Sequence, residues 1–282
     1  MNVRRTLMSL AFLALLIGSP VKAARYDLNM GKVVNYIDPS TDERLFDDGQ
    51  GNLIDPQVLF EDLMTELGLI TAPVFLAPAE TLGLNGFSFG LEGTIAPISG
   101  DSDFWTAPTE GKPSSVIFIP HIHVRKGLPF STEIGAQLSY IPESELFVVG
   151  AEAKWALNEG FYWIPDLAVR FTINHMIGSK DFELSTGGWD ISLSKAFGIG
   201  GMLSLTPYAG YNMHFIHSSS HVVLEDTAQM EDYVFSEMNW QDNMFHRFFF
   251  GCRLKTFIFQ VTLEGIIAES ASLFNFKLGF DY

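Results

Sequence analysis

The sequence predicts an all-β protein, an antiparallel transmembrane β-barrel of about ten strands preceded by a short helix. Three observations carry this expectation. The chain is 47% hydrophobic and only 18% charged, with 25 Phe, yet beyond its first two dozen residues no stretch is apolar enough to cross a bilayer as a helix. Its second half alternates apolar and polar residues with period two, segment after segment. The two longest connections between these segments fall on one side of the strand count and short turns on the other, as in bacterial membrane barrels.

The amino terminus sets the compartment. Arg4 and Arg5 precede an apolar run over 7–18, then Pro20 and the small-residue site Val21-Lys22-Ala23. This is the pattern of a secretory signal peptide over 1–23, with Val21 and Ala23 at the −3 and −1 positions. A run of about a dozen apolar residues falls short of the roughly 18 needed for a spanning helix. The leader holds three of the 17 basic residues and none of the 33 acidic ones. The remaining chain is therefore strongly acidic, which excludes nucleic acid as a partner because phosphate binding needs a basic surface. Cys252 is the only cysteine, so no disulfide forms within the chain.

Residues 24–81 are expected to form a periplasmic arm and a short helix. Over 25–53 the chain is polar and acidic without clear period. Asp55-Pro56 then reads as N-cap and first helical residue, with Gly68 as the stop after Leu67. Val58, Leu59, Leu63, Met64 and Leu67 share one face, opposite Glu61, Asp62 and Glu66. Such a helix covers the periplasmic mouth, plugs the lumen or binds a partner.

Residues 82–282 are the expected barrel. Its ten segments span about 87–95, 115–125, 130–140, 146–157, 163–177, 184–197, 203–215, 245–255, 257–267 and 272–282. In the clearest, Phe130, Thr132, Ile134, Ala136, Leu138 and Tyr140 face one way and Ser131, Glu133, Gly135, Gln137 and Ser139 the other. Nine to eleven residues cross the hydrocarbon layer, whereas strands of soluble proteins average about 5–6. With the carboxyl terminus in the periplasm, the turns at 126–129, 158–160, 198–201 and 255–256 are periplasmic. The long connections at 97–113 and 216–243 are then both outside; moving the count by one strand would reverse this. Trp155, Trp163, Phe197, Phe280 and Tyr282 fall near periplasmic strand ends on the outward face, where amphipathic rings prefer to sit.

The last segment, Phe274-x-Phe276-x-Leu278-x-Phe280-x-Tyr282, resembles the terminal strand of bacterial outer-membrane β-barrel proteins. At the level of pattern the resemblance covers residues 82–282, with a terminal Tyr where many members carry Phe. It implies the outer membrane as location, outer-membrane lipids as surroundings, and recognition of the terminal strand by the barrel-assembly machinery.

Charged residues predicted to face inward are Glu92, His121, His123, Arg125, Glu133, Glu152, Lys154, Asp166, Arg170, Asp190, Arg247, Arg253, Glu264 and Lys277. With both signs on neighbouring strands, they read as an internal ion-pair network in a narrow bore, the alternative being rings of charge around a solute pore. The run 212–221 holds His214, His217 and His221 with Ser218, Ser219 and Ser220. With Glu225 and Asp226 nearby, it offers the residue types of a lipid hydrolase or a metal site, or of a solvated loop. No second motif supports catalysis, and the acids at 225, 226, 231, 232, 237 and 242 fit a solvated loop or cation bridges to lipid. Gly198 to Gly201 precede a strand, so they are a turn and not a dinucleotide loop. The expectation is a non-enzymatic outer-membrane barrel with a structural, interaction or narrow-conduit role, and with no catalytic, metal or cofactor residues assigned. A small-solute pore and a lipid hydrolase are the alternatives.

Overall fold

The computed structural model describes residues 26, 28–37, 44–109, 113–224, 233–269 and 271–282. The expected signal peptide lies outside these residues, as do Glu225, Asp226, Glu231 and Asp232 of the acidic connection.

Ten long strands form the barrel: β1 (Phe87–Pro97), β2 (Val116–Leu128), β3 (Thr132–Tyr140), β4 (Phe147–Asn158), β5 (Asp166–Ile177), β6 (Phe182–Ser194), β7 (Leu203–Ser220), β8 (Met244–Thr256), β9 (Phe259–Ala268) and β10 (Ser272–Asp281). Each pairs antiparallel with the next, and β10 returns to β1 with Phe274 opposite Ile95 and Phe280 opposite Phe89. Closure leaves no edge, so ladder N–H and C=O groups find partners without water. A three-residue strand, Phe197–Ile199, extends the β6–β7 hairpin.

The predicted alternation holds along the wall. On β1, Ser88, Glu92 and Thr94 are buried while Phe87, Leu91 and Ile95 are exposed. On β4, Phe147, Val149 and Trp155 are exposed and Lys154 is buried. Outward rows of Val, Ile, Leu and Phe on the other strands complete an apolar belt. A water-soluble sandwich would bury such a face; this barrel turns it outward and keeps its charges inside, the polarity of a membrane-spanning wall.

Several boundaries move. Trp163 and Phe257 lie in turns, so β5 begins at Asp166 and β9 at Phe259. Phe130 and Ser131 belong to the β2–β3 turn, where their φ values of 62° and 55° reverse the chain. β7 continues to Ser220, five residues past its expected end, because the chain pairs on with β6 as far as Phe182.

The N-terminal portion departs most from expectation. Helix α1 (Pro56–Ile70) starts as predicted, with the Asp55 carboxylate accepting the Gln57 amide at 2.9 Å. It does not stop at Gly68. That glycine lies against Ile216, where an added Cβ would come within 2.7 Å of the side chain, so it permits close approach instead of ending the helix. Val58 is exposed, and Phe60 takes its place in the buried face with Leu59, Leu63, Met64 and Leu67.

Among the described residues, the helix and the chain before it contact one end of the barrel, the end with the long connections. Glu66 accepts from the Ser99 amide and the Trp105 indole, both at 2.8 Å. Gln57 exchanges hydrogen bonds with the backbone of Ser236. The Met30 amide donates to Asp181, and the Tyr26 amide to the Glu143 carbonyl. The expectations of a periplasmic arm and of outer long connections therefore exclude each other, because arm and loops share one end. A helix covering the mouth at the short-turn end is also corrected. From Ile70 the chain instead runs down the bore over 71–82 and reaches the opposite rim, where the Gly127 amide donates to the Gly86 carbonyl and Phe87 pairs with Tyr282.

A closed ladder of this kind resists detergent until heated, so unboiled protein should migrate differently from boiled protein on gels. Deleting Phe280 to Tyr282 removes the Phe280–Phe89 pair and both backbone bonds between Phe87 and Tyr282. Assembled protein measured by that gel shift should fall severalfold; unchanged assembly would remove the role given to the terminal residues.

Candidate functional site

The site is the bore and the segment inside it. Thr71 to Ala79 are all buried, without regular secondary structure. An irregular backbone away from water must have its polar groups met by side chains, and the inward face of the barrel meets them. Pro73 and Pro78 lower the demand, since neither has an N–H.

Near the long-loop end, Asn174 donates to the Thr71 carbonyl at 3.1 Å and Arg247 to that of Pro73 at 2.9 Å. At mid-depth the Phe75 carbonyl accepts from Arg125 at 2.6 Å and from Arg170 at 3.2 Å. The amides of Phe75 and Leu76 donate to the two oxygens of Glu264 at 3.3 and 2.9 Å. Tyr208 and Asn275 donate to the same carboxylate at 2.8 and 3.1 Å. The Phe75 ring stacks on Phe249 with centroids 4.2 Å apart and lies 5.0 and 5.1 Å from the guanidinium carbons of Arg170 and Arg247. Leu76 has φ 40°, a left-handed conformation that costs an L residue about 1–2 kcal/mol and is held here by the Glu264 clamp.

Towards the short-turn end, Lys154 donates to the carbonyls of Pro78 and Glu80, and the Ala79 amide donates to Ser194. Glu80 pairs with Arg253. The Thr81 amide and hydroxyl bind Glu159, and the Leu82 amide binds Glu133 at 3.1 Å. A cavity between this part of the segment and the wall measures about 10 Å³, room for roughly one water.

Every charge predicted to face inward does so, and many of the opposite signs meet, while Arg247 and Glu264 hold backbone and neutral side chains. Glu92 contacts His123 at 3.2 Å and Lys277 at 3.4 Å. Glu152 contacts Arg125 at 2.5 Å and Arg170 at 3.4 Å, and Glu133 contacts Lys154 at 3.2 Å. Arg170 Nε lies 3.2 Å from Asp190, a charge contact without an aligned hydrogen bond. Asp166 lies at the rim and accepts the Gly160 amide at 2.8 Å.

The histidine and serine run does not assemble. His214 points into the bore and is fully buried. His217 faces out, its Nδ1 2.9 Å from the Met238 carbonyl and its ring stacked on Trp240. His221 lies in the loop, 3.3 Å from Glu183. Period two separates these rings, and among the described residues no hydrogen bond joins His217 to Ser219. A Ser–His contact that sequence reading missed, Ser185 to His175 Nδ1 at 2.9 Å, lies on the same outer wall. Its residues come from different strands, so only the register reveals it. Among the described residues, no three His, Cys, Asp or Glu side chains are grouped to hold a metal.

Sequence reading also missed the 71–82 segment. Its available signal was an apolar stretch with two prolines, one charge and neither helical nor strand period.

No family model and no curated protein matches the chain. Solved structures with some likeness include a KdgM porin (TM-score 0.33, 6% identity, 68% of this chain and 98% of that one). The translocator domain of the autotransporter NalP from Neisseria meningitidis gives TM-score 0.30, with 11% identity and coverage of 80% of this chain and 95% of that one. Ail, the attachment invasion locus protein of Yersinia pestis, in complex with the heparin analogue sucrose octasulfate, gives TM-score 0.25, with 9% identity and coverage of 71% and 99%. At these scores the overlap is loose, and none of their activities transfers to this chain.

Two outcomes follow from the packing. Replacing Arg170 with Ala strands Asp190 and removes one of the two donors to the Phe75 carbonyl. Stability measured by urea or heat should drop by about 3–5 kcal/mol, the usual cost of breaking a buried pair. A drop below about 1 kcal/mol would show the network to be dispensable. Glu159 sits in the β4–β5 turn. Partial burial raises its carboxyl, but the Thr81 amide and the Ser131 and Thr81 hydroxyls outweigh burial and hold it below its ordinary 4.5. A depressed carboxylate stabilises above its unfolded value and loses that contribution as pH falls through the folded one. The stability gap between wild type and Glu159→Gln should therefore be full at pH 7 and close progressively below about pH 4.5. A gap that stays constant with pH would refute the assignment.

Proposed function

We propose that this chain is a non-enzymatic outer-membrane barrel whose bore is held shut by its own residues 71–82, with a structural or interaction role at the membrane surface. The observation that carries the reading is the threaded segment, gripped along its length by Asn174, Arg247, Arg125, Arg170, Glu264, Lys154 and Glu133. A bore built for solutes leaves a polar path free; here that path is occupied by backbone. The apolar belt fits outer-membrane lipids, and the terminal strand fits recognition by the barrel-assembly machinery. With the carboxyl terminus in the periplasm, the long connections and the 26–70 unit stand together on the cell surface. This placement replaces the periplasmic arm.

Purified full-length protein in planar bilayers should give no steady current on the nanosiemens scale. A large, steady, ion-selective current would favour the solute pore. Epitope tags near Gln50 and within 236–242 should both be labelled on intact cells, whereas a tag at Gly160 should need permeabilisation. Labelling at Gly160 alone would invert the orientation. The hydrolase alternative would gain from the loss of a membrane lipid product in Ser185→Ala or Ser219→Ala with assembly intact.

A further inference from the structure

We infer that the outward face of β5, β6 and β7, at the long-loop end, binds one lipid with a hydroxyl-rich, saccharide headgroup. The inference rests on the outer-membrane reading and adds which lipid class one sector of the wall selects. A single cross-strand row carries it. From β10 round to β4 the row reads Leu278, Leu91, Ile122, Leu138 and Val149, all exposed and apolar. It then continues through His175, Ser185 and His217 on β5, β6 and β7. One step nearer the loops Glu183 pairs with Ser219, and one step into the belt Gly187 pairs with Phe215. Hydrogen-bonding side chains therefore sit directly on the apolar belt in this sector, the two-part surface that an amphiphile fits. Continuity with the belt makes the occupant a lipid and not a soluble ligand.

The polar groups select the headgroup. Ser185 Oγ lies 2.9 Å from His175 Nδ1. His217 Nδ1 lies 2.9 Å from the Met238 carbonyl, which only accepts, so Nδ1 carries a proton and Nε2 of the neutral ring is an acceptor. Glu183, beside His221, adds a carboxylate acceptor. Acceptors and a serine hydroxyl suit headgroup hydroxyls. A phosphate calls for guanidinium or ammonium groups, and the three strands hold one such residue, Arg170, which faces the bore. Aromatic rings mark the headgroup level. Trp240 stacks on His217 with centroids 5.4 Å apart and leans over Gly187, offering an indole face to the C–H face of a sugar ring. Nearer the belt, Trp189 meets Tyr211 edge to face, and the Tyr211 hydroxyl lies 2.6 Å from His246 Nδ1.

The test mixes the purified full-length protein with digalactosyl diacylglycerol or with phosphatidylglycerol of the same acyl chains, and counts lipids bound per barrel by native mass spectrometry. Wild type should retain one digalactosyl lipid and bind phosphatidylglycerol at least tenfold less. The double variant Ser185→Ala, His217→Phe should lose the digalactosyl lipid by about tenfold. Equal binding of the two lipids, or undiminished binding by the variant, would overturn the site. A wild-type dimer that retains no lipid would do the same, with a second copy as the occupant. The gel shift of unboiled protein is read on the same samples. Its absence from wild type would sink the barrel reading instead, so the two failures are distinguishable. If only the double variant lacks the shift, Glu183→Gln takes its place and should weaken binding severalfold; unchanged binding there would likewise refute the site.

Discussion

A barrel wall in lipid forces every inward polar group to find its partner inside the bore, and this constraint organises the rest of the molecule. Ten strands with one apolar face must place the other face in a space too narrow for bulk water. Charges there persist only when paired or fully hydrogen-bonded, hence Glu92 between His123 and Lys277, and Glu152 between Arg125 and Arg170. The same constraint admits an irregular segment to the interior, because arginines and carboxylates not consumed by one another are available to backbone carbonyls and amides. Arg125 does both jobs, holding Glu152 through Nε and Phe75 through Nη2.

The wall was legible in the sequence because strand period is local. Glu92, Lys154, Arg170 and Lys277 could be assigned inward from their immediate neighbours alone, and all four are buried. Boundaries were less legible where aromatic residues occupy turns. Phe130 and Phe257 continue an apolar pattern but take positive φ values of 62° and 51°, and nothing in side-chain polarity announces that.

The candidate site was half legible. Its lining could be read, but its occupant could not. Residues 71–82 carry no period because they join no ladder; their partners lie up to 189 positions away, and such distant contacts leave no local trace. Gly68 misled for a related reason. It reads as a helix stop, yet its role is set by Ile216 on a distant strand. The histidine run failed in the opposite way. Proximity in sequence suggested a cluster, and the strand pleat sent His214 and His217 to opposite faces of one wall.

The threaded path also constrains how the molecule is made. The 26–70 unit lies at one mouth of the bore, while β1 begins at the other. A finished ring would have to pass the whole helix α1 through a space that a single extended chain already fills. Either the seam between β1 and β10 shuts around residues 71–82, or the chain before them crosses the bore unfolded and forms helix α1 afterwards. Either way the pairing of β10 with β1, Phe274 to Ile95 through Phe280 to Phe89, completes the ring that encloses the segment.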